Sequence, residues 1–303
     1  MIFYRIKNAI NNIIKDNLPS KYKWPKCLIK QRIEKAYFAI FGYSINWKEP
    51  SFFTEKVQWY KLYYKNPLVR RIIDKGEFKT YIEEKIGEGH TIPLIDIWND
   101  ISDFERAWPY LPKSFCLKST ISGGGNNILL IRDKSVEDYK KVKNEVSKWF
   151  DPKNTNLNST ITAYYKCKPR VLAEEYMTQT NDQLYDYKFF CFMGVPHYVY
   201  VATDHFPGQL SHISFYDLDW NKLDVKYGKH PNCNVKKPKN FNQMLSYAKT
   251  LSEGFPFVRV DFFETEENLY IAELTFFPGN GFTPYHPESF NKELGDLFIL
   301  PKQ

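Results

Sequence analysis

Apolar residues recur at three- and four-residue spacings through IKQRIEKAYFAIFG, TEKVQWYKLYYKN and FKTYIEEKIGEG, with charged residues between them. That period lays an apolar stripe along a helix, so the chain up to about residue 110 reads as short helices separated by Pro and Gly turns. From about residue 111 the period changes. FCLKS, NILLIR, RVLAEEYM, DYKFFCFM, HYVYVATD, PFVRVDFF and LYIAELTF are short aromatic or β-branched runs bounded by turn formers, the signature of strands. Two amphipathic helices, VEDYKKVKNEVSKWF and FNQMLSYAKTLSEG, interrupt them. The pattern predicts an α+β chain with a helical front and a sheet-rich body. Neither an internal repeat nor a long polar linker divides it.

Composition narrows the picture. At 303 residues the chain can bury a sizeable core as one large domain or two ordinary ones, and 17% aromatic residues suit a strand-rich body. A formal charge of +7 favours anionic partners, with phosphate, carboxylate and membrane surface all open; nucleic acid is not expected. Cys27, Cys116, Cys167, Cys191 and Cys233 stand far apart without a CxxC pair, which points away from zinc and from a disulfide framework and towards a reducing cytoplasm. The first residues lack the continuous apolar core of a signal peptide, and no apolar run approaches the roughly 20 residues of a membrane span. Ile6, Ile10, Ile13 and Ile14 share one helical stripe. A helix packed on the body is the expected reading, with a membrane-surface helix as the alternative.

Candidate chemistry begins at FPFVRVDFFETEENLYIAELTFFPGNGF. A hairpin centred on Glu267 puts Asp261 opposite Glu273, with β-carbons roughly 4.5 to 5.5 Å apart, and on the strand period Arg259 and Thr275 share that face. Val258, Val260, Phe262, Ala272 and Leu274 form the opposite, core face. Two carboxylates this close repel unless a proton or cation lies between them, and hard oxygen ligands on a rigid hairpin suit Mg²⁺. On an ordinary hairpin the same pair would simply be solvated, with Arg259 as an ion-pair partner. The Gly279-Asn280-Gly281 turn that follows adds backbone amides that can approach an anion.

The second constellation is LPKSFCLKSTISGGGNNILLIR, where Lys118 precedes Ser122, Gly123, Gly124 and Gly125. A P-loop feeds a helix, but this loop feeds another strand and so reads as a glycine hairpin flap. RVLAEEYM ends a strand with Glu174 and Glu175, and DYKFFCF alternates Asp186 and Lys188 with Tyr187 and Phe189. In IIDKGEFKTYIEEKIG, Asp74 can cap a helix that carries Lys79.

In order, FTEKVQWYKLYYKNPL, DKGEFK, LPKSFCLKSTISGGGNN, LAEEYM, DYKFFCF, FYDLDWN, GFPFVRVDFF and ELTFFPGNGF resemble the ATP-grasp superfamily, and more closely its teichuronopeptide-synthesis-like (TupA-like) branch of bacterial surface-polysaccharide synthesis. The resemblance implies two sheet-containing lobes enclosing ATP: a helical extension over 1–55, then an ATP-grasp domain over 56–303 with lobes of about 70–172 and 173–303. It also implies a ligase that phosphorylates a carboxylate with ATP and lets an amine displace the phosphate, with ATP and Mg²⁺ as cofactors and Mn²⁺ as a substitute.

By motif, Lys79 and Lys118 resemble phosphate-reaching lysines, and Ser122, Gly123, Gly124 and Gly125 the flap over the phosphates. Glu174, Glu175, Tyr176 and Met177 resemble the adenine hinge, with Asp182 near the ribose. Lys188 resembles a further cation at the phosphates, Arg259 the arginine that steadies acyl phosphate and oxyanion, and Asp261, Glu273 and Thr275 the metal ligands. Gly279, Asn280 and Gly281 resemble the turn beside the substrate.

Two departures stand out. Many ATP-grasp enzymes carry Asn where this chain has Thr275, and many have a full α/β domain ahead of the ATP lobes, for which residues 1 to about 55 are too few. The polysaccharide setting implies a uronic-acid carboxylate of a nucleotide sugar or glycan, or a peptide carboxylate, joined to an amino acid or amino alcohol. It also implies cytoplasmic work, with peripheral attachment to membrane-bound machinery as an option. The rival class is a metal-dependent glycosyltransferase using Asp217 and Asp219 of FYDLDW, which would turn over a nucleotide sugar and ignore ATP. A nucleotide-binding module without turnover is the third reading.

Overall fold

The strand-like runs assemble into two antiparallel sheets, seen in a computed structural model that describes residues 25–123, 125–152, 160–177, 185–203 and 210–302. The Ile6 to Ile14 stripe, Gly124 and Asp182 lie outside those residues.

Four helices open the described chain: α1 (Lys26–Phe41), α2 (Phe53–Tyr63), α3 (Pro67–Ile72) and α4 (Lys75–Ile86). Asp74 caps α4 by accepting from the amides of Gly76 at 2.9 Å and Glu77 at 3.1 Å, satisfying donors that a helix start leaves open. The first sheet contains β1 (Leu94–Trp98), β2 (Phe115–Ser119), β3 (Ile128–Ile131) and β4 (Val171–Glu175) in the order β1-β4-β2-β3. Helices α5 (Ile101–Ala107) and α6 (Tyr139–Trp149) complete this unit. Val142, Val146 and Trp149 on α6 share one stripe and pack with Trp98, Phe104 and Leu117 in a core of their own.

The second sheet is built from β5 (Asp186–Phe192), β6 (Val195–Thr203), β7 (His212–Tyr216), β9 (Phe257–Glu264) and β10 (Leu269–Thr275), in the order β10-β9-β5-β6-β7. A small pair, β8 (Lys226–Tyr227) with β11 (Tyr285–His286), flanks it, and α7 (Phe241–Ser252) and α8 (Glu288–Leu297) complete the fold. One face of the second sheet packs on α7, where Phe241 meets Phe189. The other face meets α2: the Phe53 ring lies 4.9 Å from Phe257 and 6.0 Å from both Phe190 and Phe192.

Two expectations need correcting. LIDIW, in the stretch read as helical, is strand β1 and pairs with β4; its alternation was masked by helical segments on both sides. The lobe boundary near 172 cuts through β4, which stays in the first sheet to Glu175. In addition Phe78, Tyr81 and Ile82 of α4 are buried in the same core as the second sheet, so this helix is shared between the lobes. Among the described residues no helix is long and apolar enough to cross a membrane.

Because α2 inserts Phe53 among five aromatic rings, Phe53→Ala is expected to lower stability by about 3 to 5 kcal/mol, the usual cost of emptying an aromatic core site. Urea unfolding measures this; a loss below about 1 kcal/mol would mean that α2 is an ornament on the domain.

Candidate active site

Strands β9 and β10 pair with Asp261 opposite Glu273 and Arg259 opposite Thr275. Nearer the turn the register shifts by one at a bulge between Ile271 and Glu273. Ile271, rather than Ala272, therefore joins the core face, with 1% exposure against a half-buried Ala272. A bulge re-aims one residue without disturbing the rest of the strand.

Register then extends a row of chemistry across the sheet. Glu273 on β10 faces Asp261 on β9, which faces Lys188 on β5, which faces Tyr200 on β6. Asp261 has 0% exposure. Its Oδ1 accepts from Arg259 Nε at 2.7 Å, and its Oδ2 accepts from Arg259 Nη2 at 2.6 Å and Lys188 Nζ at 2.7 Å. Arg259 also donates to the Tyr200 hydroxyl at 3.0 Å and to Thr275 Oγ1 at 3.1 Å, and Lys188 pairs with Asp186. Burial works against the Lys188 ammonium, but the Asp186 and Asp261 carboxylates outweigh it and hold its pKa above the ordinary lysine value. Glu273 is half-buried, and no ion pair reaches it among the described residues.

The first sheet contributes a second cluster. Glu174 on β4 is clamped by two lysines, with its Oε1 2.8 Å from Lys79 Nζ of α4 and its Oε2 on Lys118 Nζ of β2. Burial would raise the Glu174 pKa, yet the two ammonium groups bring it below the ordinary glutamate value. Lys79 also donates to the Ile92 carbonyl and is 5% exposed. Burial pushes its pKa down, against the pull of the Glu174 carboxylate.

A further cation on α4 is Lys75, which the sequence reading passed over. Its amide donates to the Thr120 carbonyl at 2.8 Å, and its Nζ donates to the Ser122 carbonyl of the flap. Burial lowers the Lys75 pKa, while the Glu273 carboxylate pulls it back up. Glu273 also acts on Lys118 of β2 and on Arg259. The available signal was position: Lys75 follows the cap Asp74 directly.

The other expected residues lie at the ends of β2, β4 and β10 and in the loops that follow them. Strands β2 and β3 pair on either side of the flap, where Ser122 is buried and donates to the Ser119 carbonyl at 3.1 Å. Gly123 is half-buried, while Gly125 is exposed with φ +75. Glu175, the last residue of β4, is exposed and is followed by half-buried Tyr176 and Met177. Gly279, Asn280 and Gly281 form a left-handed turn after β10, with φ of 54, 58 and 69. Asp217 and Asp219 do not join them: Asp217 closes its own turn by accepting from the Asn221 amide at 2.7 Å, and Asp219 is exposed.

The donor set fits Mg²⁺. Asp261 Oδ1 accepts only from Arg259 Nε among the described groups and retains a lone pair, Glu273 is open, and the ion takes one or two carboxylates before filling its shell with phosphate and water. Among the described residues no cluster of three or more His, Cys, Asp or Glu competes as a metal site.

The model of the TupA-like ATPgrasp family matches residues 55–299. Similar solved structures include D-alanine-D-alanine ligase from Helicobacter pylori, at 15% identity and TM-score 0.41 over 76% of this chain and 61% of that one. The ADP complex of PurK, N5-carboxyaminoimidazole ribonucleotide synthetase, matches at 14% identity and TM-score 0.45 over 75% of this chain and 52% of that one. The MgADP-bound biotin carboxylase domain of Hydrogenobacter thermophilus 2-oxoglutarate carboxylase matches at 16% identity and TM-score 0.40, over 69% and 40%. The chain thus spans less than two thirds of the length of these proteins. No curated protein matches it.

Removing the Glu174 carboxylate would strand two buried ammonium groups, so Glu174→Gln is expected to cost about 3 to 5 kcal/mol at pH 7. Glu174 is held below its ordinary value of 4.5, so its contribution is complete above that value and is lost as pH falls through the lower, folded one. Urea unfolding of both proteins at neutral pH and on acidification checks this. A gap that stays constant through the acid range would contradict it.

Proposed function

The chain belongs to the TupA-like ATP-grasp family, and from that premise we propose that it is an ADP-forming carboxylate-amine ligase working through an acyl phosphate. The observation that carries the reading is the row of Lys188, Asp261 and Glu273 that strand register sets across the second sheet, with Arg259 on the same face, and the Glu273 carboxylate acting on Lys75 of α4 and Lys118 of β2. Triphosphate charge needs cations, and a carboxylate acceptor needs a cation as well. This set supplies both.

In this reading adenine lies along Glu175, Tyr176 and Met177. The phosphates run beneath the flap of Ser122, Gly123 and Gly125 towards Lys75, Lys79, Lys118 and Lys188. Asp261 and Glu273 would hold Mg²⁺, which when bound neutralises charge on the phosphate oxygens. Thr275 has a role already as an acceptor for Arg259. A substrate carboxylate oxygen attacks the γ-phosphorus, the bond to the β,γ-bridging oxygen breaks, and ADP leaves. The amine nitrogen then attacks the acyl carbon, and Arg259, locked by Asp261, Tyr200 and Thr275, steadies the oxyanion. The carbon–oxygen bond to phosphate breaks, phosphate departs with one former carboxylate oxygen, and the amine proton passes to solvent.

The acid proposed is a uronic-acid carboxylate of a nucleotide sugar or glycan, with a peptide carboxylate as the near neighbour. The amine is an amino acid or amino alcohol, and the setting is capsule or other surface-polysaccharide synthesis. The +7 charge suits an anionic glycan and the cytoplasmic face of a membrane. No observation favours the transferase, since Asp217 is committed to its turn.

Phosphate release with Mg²⁺ and ATP, across panels of UDP-uronic acids, oligosaccharide uronates and amines, is expected to require one acid and one amine together. The product should be lighter than their sum by one water; consumption of a nucleotide sugar with ATP intact would overturn the proposal. Glu273→Gln, at a half-buried site without an ion pair, is expected to leave the thermal midpoint unchanged and to lower ADP formation at least about 100-fold. Undiminished turnover in that variant would remove Glu273 from the machinery.

A further inference from the structure

Lys61 on α2 is 1% exposed, yet no carboxylate pairs with it among the described residues. Its ammonium donates to three neutral acceptors: the Asn280 carbonyl at 2.9 Å, Asn280 Oδ1 at 3.1 Å and Thr160 Oγ1 at 3.2 Å. The Phe282 ring lies 4.6 Å from the same nitrogen. One helical turn earlier, Gln58 Nε2 donates to the carbonyls of Asn280 at 3.1 Å and Gly281 at 2.8 Å. Those two carbonyls fix the orientation of the Gln58 amide, although this leaves its Oε1 buried without a partner among the described residues.

Everything these two side chains grasp belongs to one turn. Gly279, Asn280 and Gly281 are left-handed in succession, a conformation that an L-residue such as Asn280 adopts only where its surroundings impose it. The turn also lies directly on α2: a Cβ at Gly281 would come within 2.6 Å of Gln58 Nε2 and 3.0 Å of Val57 Cγ1. A buried ammonium with only neutral acceptors is unfavourable for the fold, and burial pushes Lys61 well below the ordinary lysine range. An apolar side chain of similar length would fill the same space without that charge.

We infer that Lys61, aided by Gln58, is a positioning residue that holds the Gly279-Asn280-Gly281 turn in its left-handed form, so that α2 serves as the platform for the substrate side of the cleft. The inference rests on the proposed reading of that turn as bordering the carboxylate or amine substrate.

The test compares wild type with Lys61→Met by hydrogen-deuterium exchange of the peptide 277–283, with the hinge peptide 172–177 as internal reference and MgATP affinity measured by calorimetry. Exchange at 277–283 is expected to rise at least tenfold while the hinge peptide and MgATP affinity stay unchanged. With the substrates found by phosphate release, the KM for the acid or amine should rise at least tenfold while that for ATP does not. Unchanged exchange at 277–283 would overturn the inference whatever the activity. Raised exchange in a protein that ligates nothing would uphold the tether and sink the ligase reading. If Lys61→Met does not fold, Gln58→Leu, which removes the other donor, decides by the same exchange measurement.

Discussion

A carboxylate with no solvent exposure is tolerable only if cations and donors replace the water it has lost, and the second sheet is organised around meeting that demand at Asp261. Arg259 supplies two N–H groups and Lys188 a third. Each of these is itself braced, Arg259 by Tyr200 and Thr275 and Lys188 by Asp186. These groups come from β5, β6, β9 and β10 and meet only because strand register puts them on one face. A shift of one residue in any pairing would turn part of the set into the α7 core.

The same face carries apolar and charged chemistry at opposite ends. Phe192 and Phe257 occupy the end covered by Phe53 of α2, Lys188 and Asp261 occupy the other, and Phe190 and Arg259 pair between them. Helix α4 joins the second core to the first sheet, burying Phe78 and Tyr81 on one side and sending Lys79 to Glu174 on another. Its cap Asp74 also receives Arg170 Nη2 at 2.7 Å. The cations facing the cleft are thus fixed by the packing that joins the two units.

Much of this was legible because strands have a period of two. A hairpin centred on Glu267 sets Asp261 opposite Glu273, the pairing that the bulge restores, and the alternation of DYKFFCF alone puts Lys188 with Asp186. The bulge at Ala272 was not legible, since it depends on how the turn at Thr265 closes, where the amide donates to the Asn268 carbonyl. Nor was the capture of Lys79 by Glu174: the two meet only through the packing of α4 on the first sheet. Lys75 was overlooked because a helix-capping Asp accounts for the local sequence without it. The tether of Lys61 to Asn280 has no sequence signature, for a lysine on an amphipathic helix ordinarily reads as solvated.

The central claim is that a substrate carboxylate attacks ATP and later surrenders an oxygen to phosphate. It is tested most directly with acids labelled with ¹⁸O in the carboxylate, incubated with the protein, MgATP and an amine, followed by mass spectrometry of the released phosphate. The account predicts one ¹⁸O in each phosphate formed alongside the amide. Phosphate free of label, or an amide formed without ADP, would contradict it.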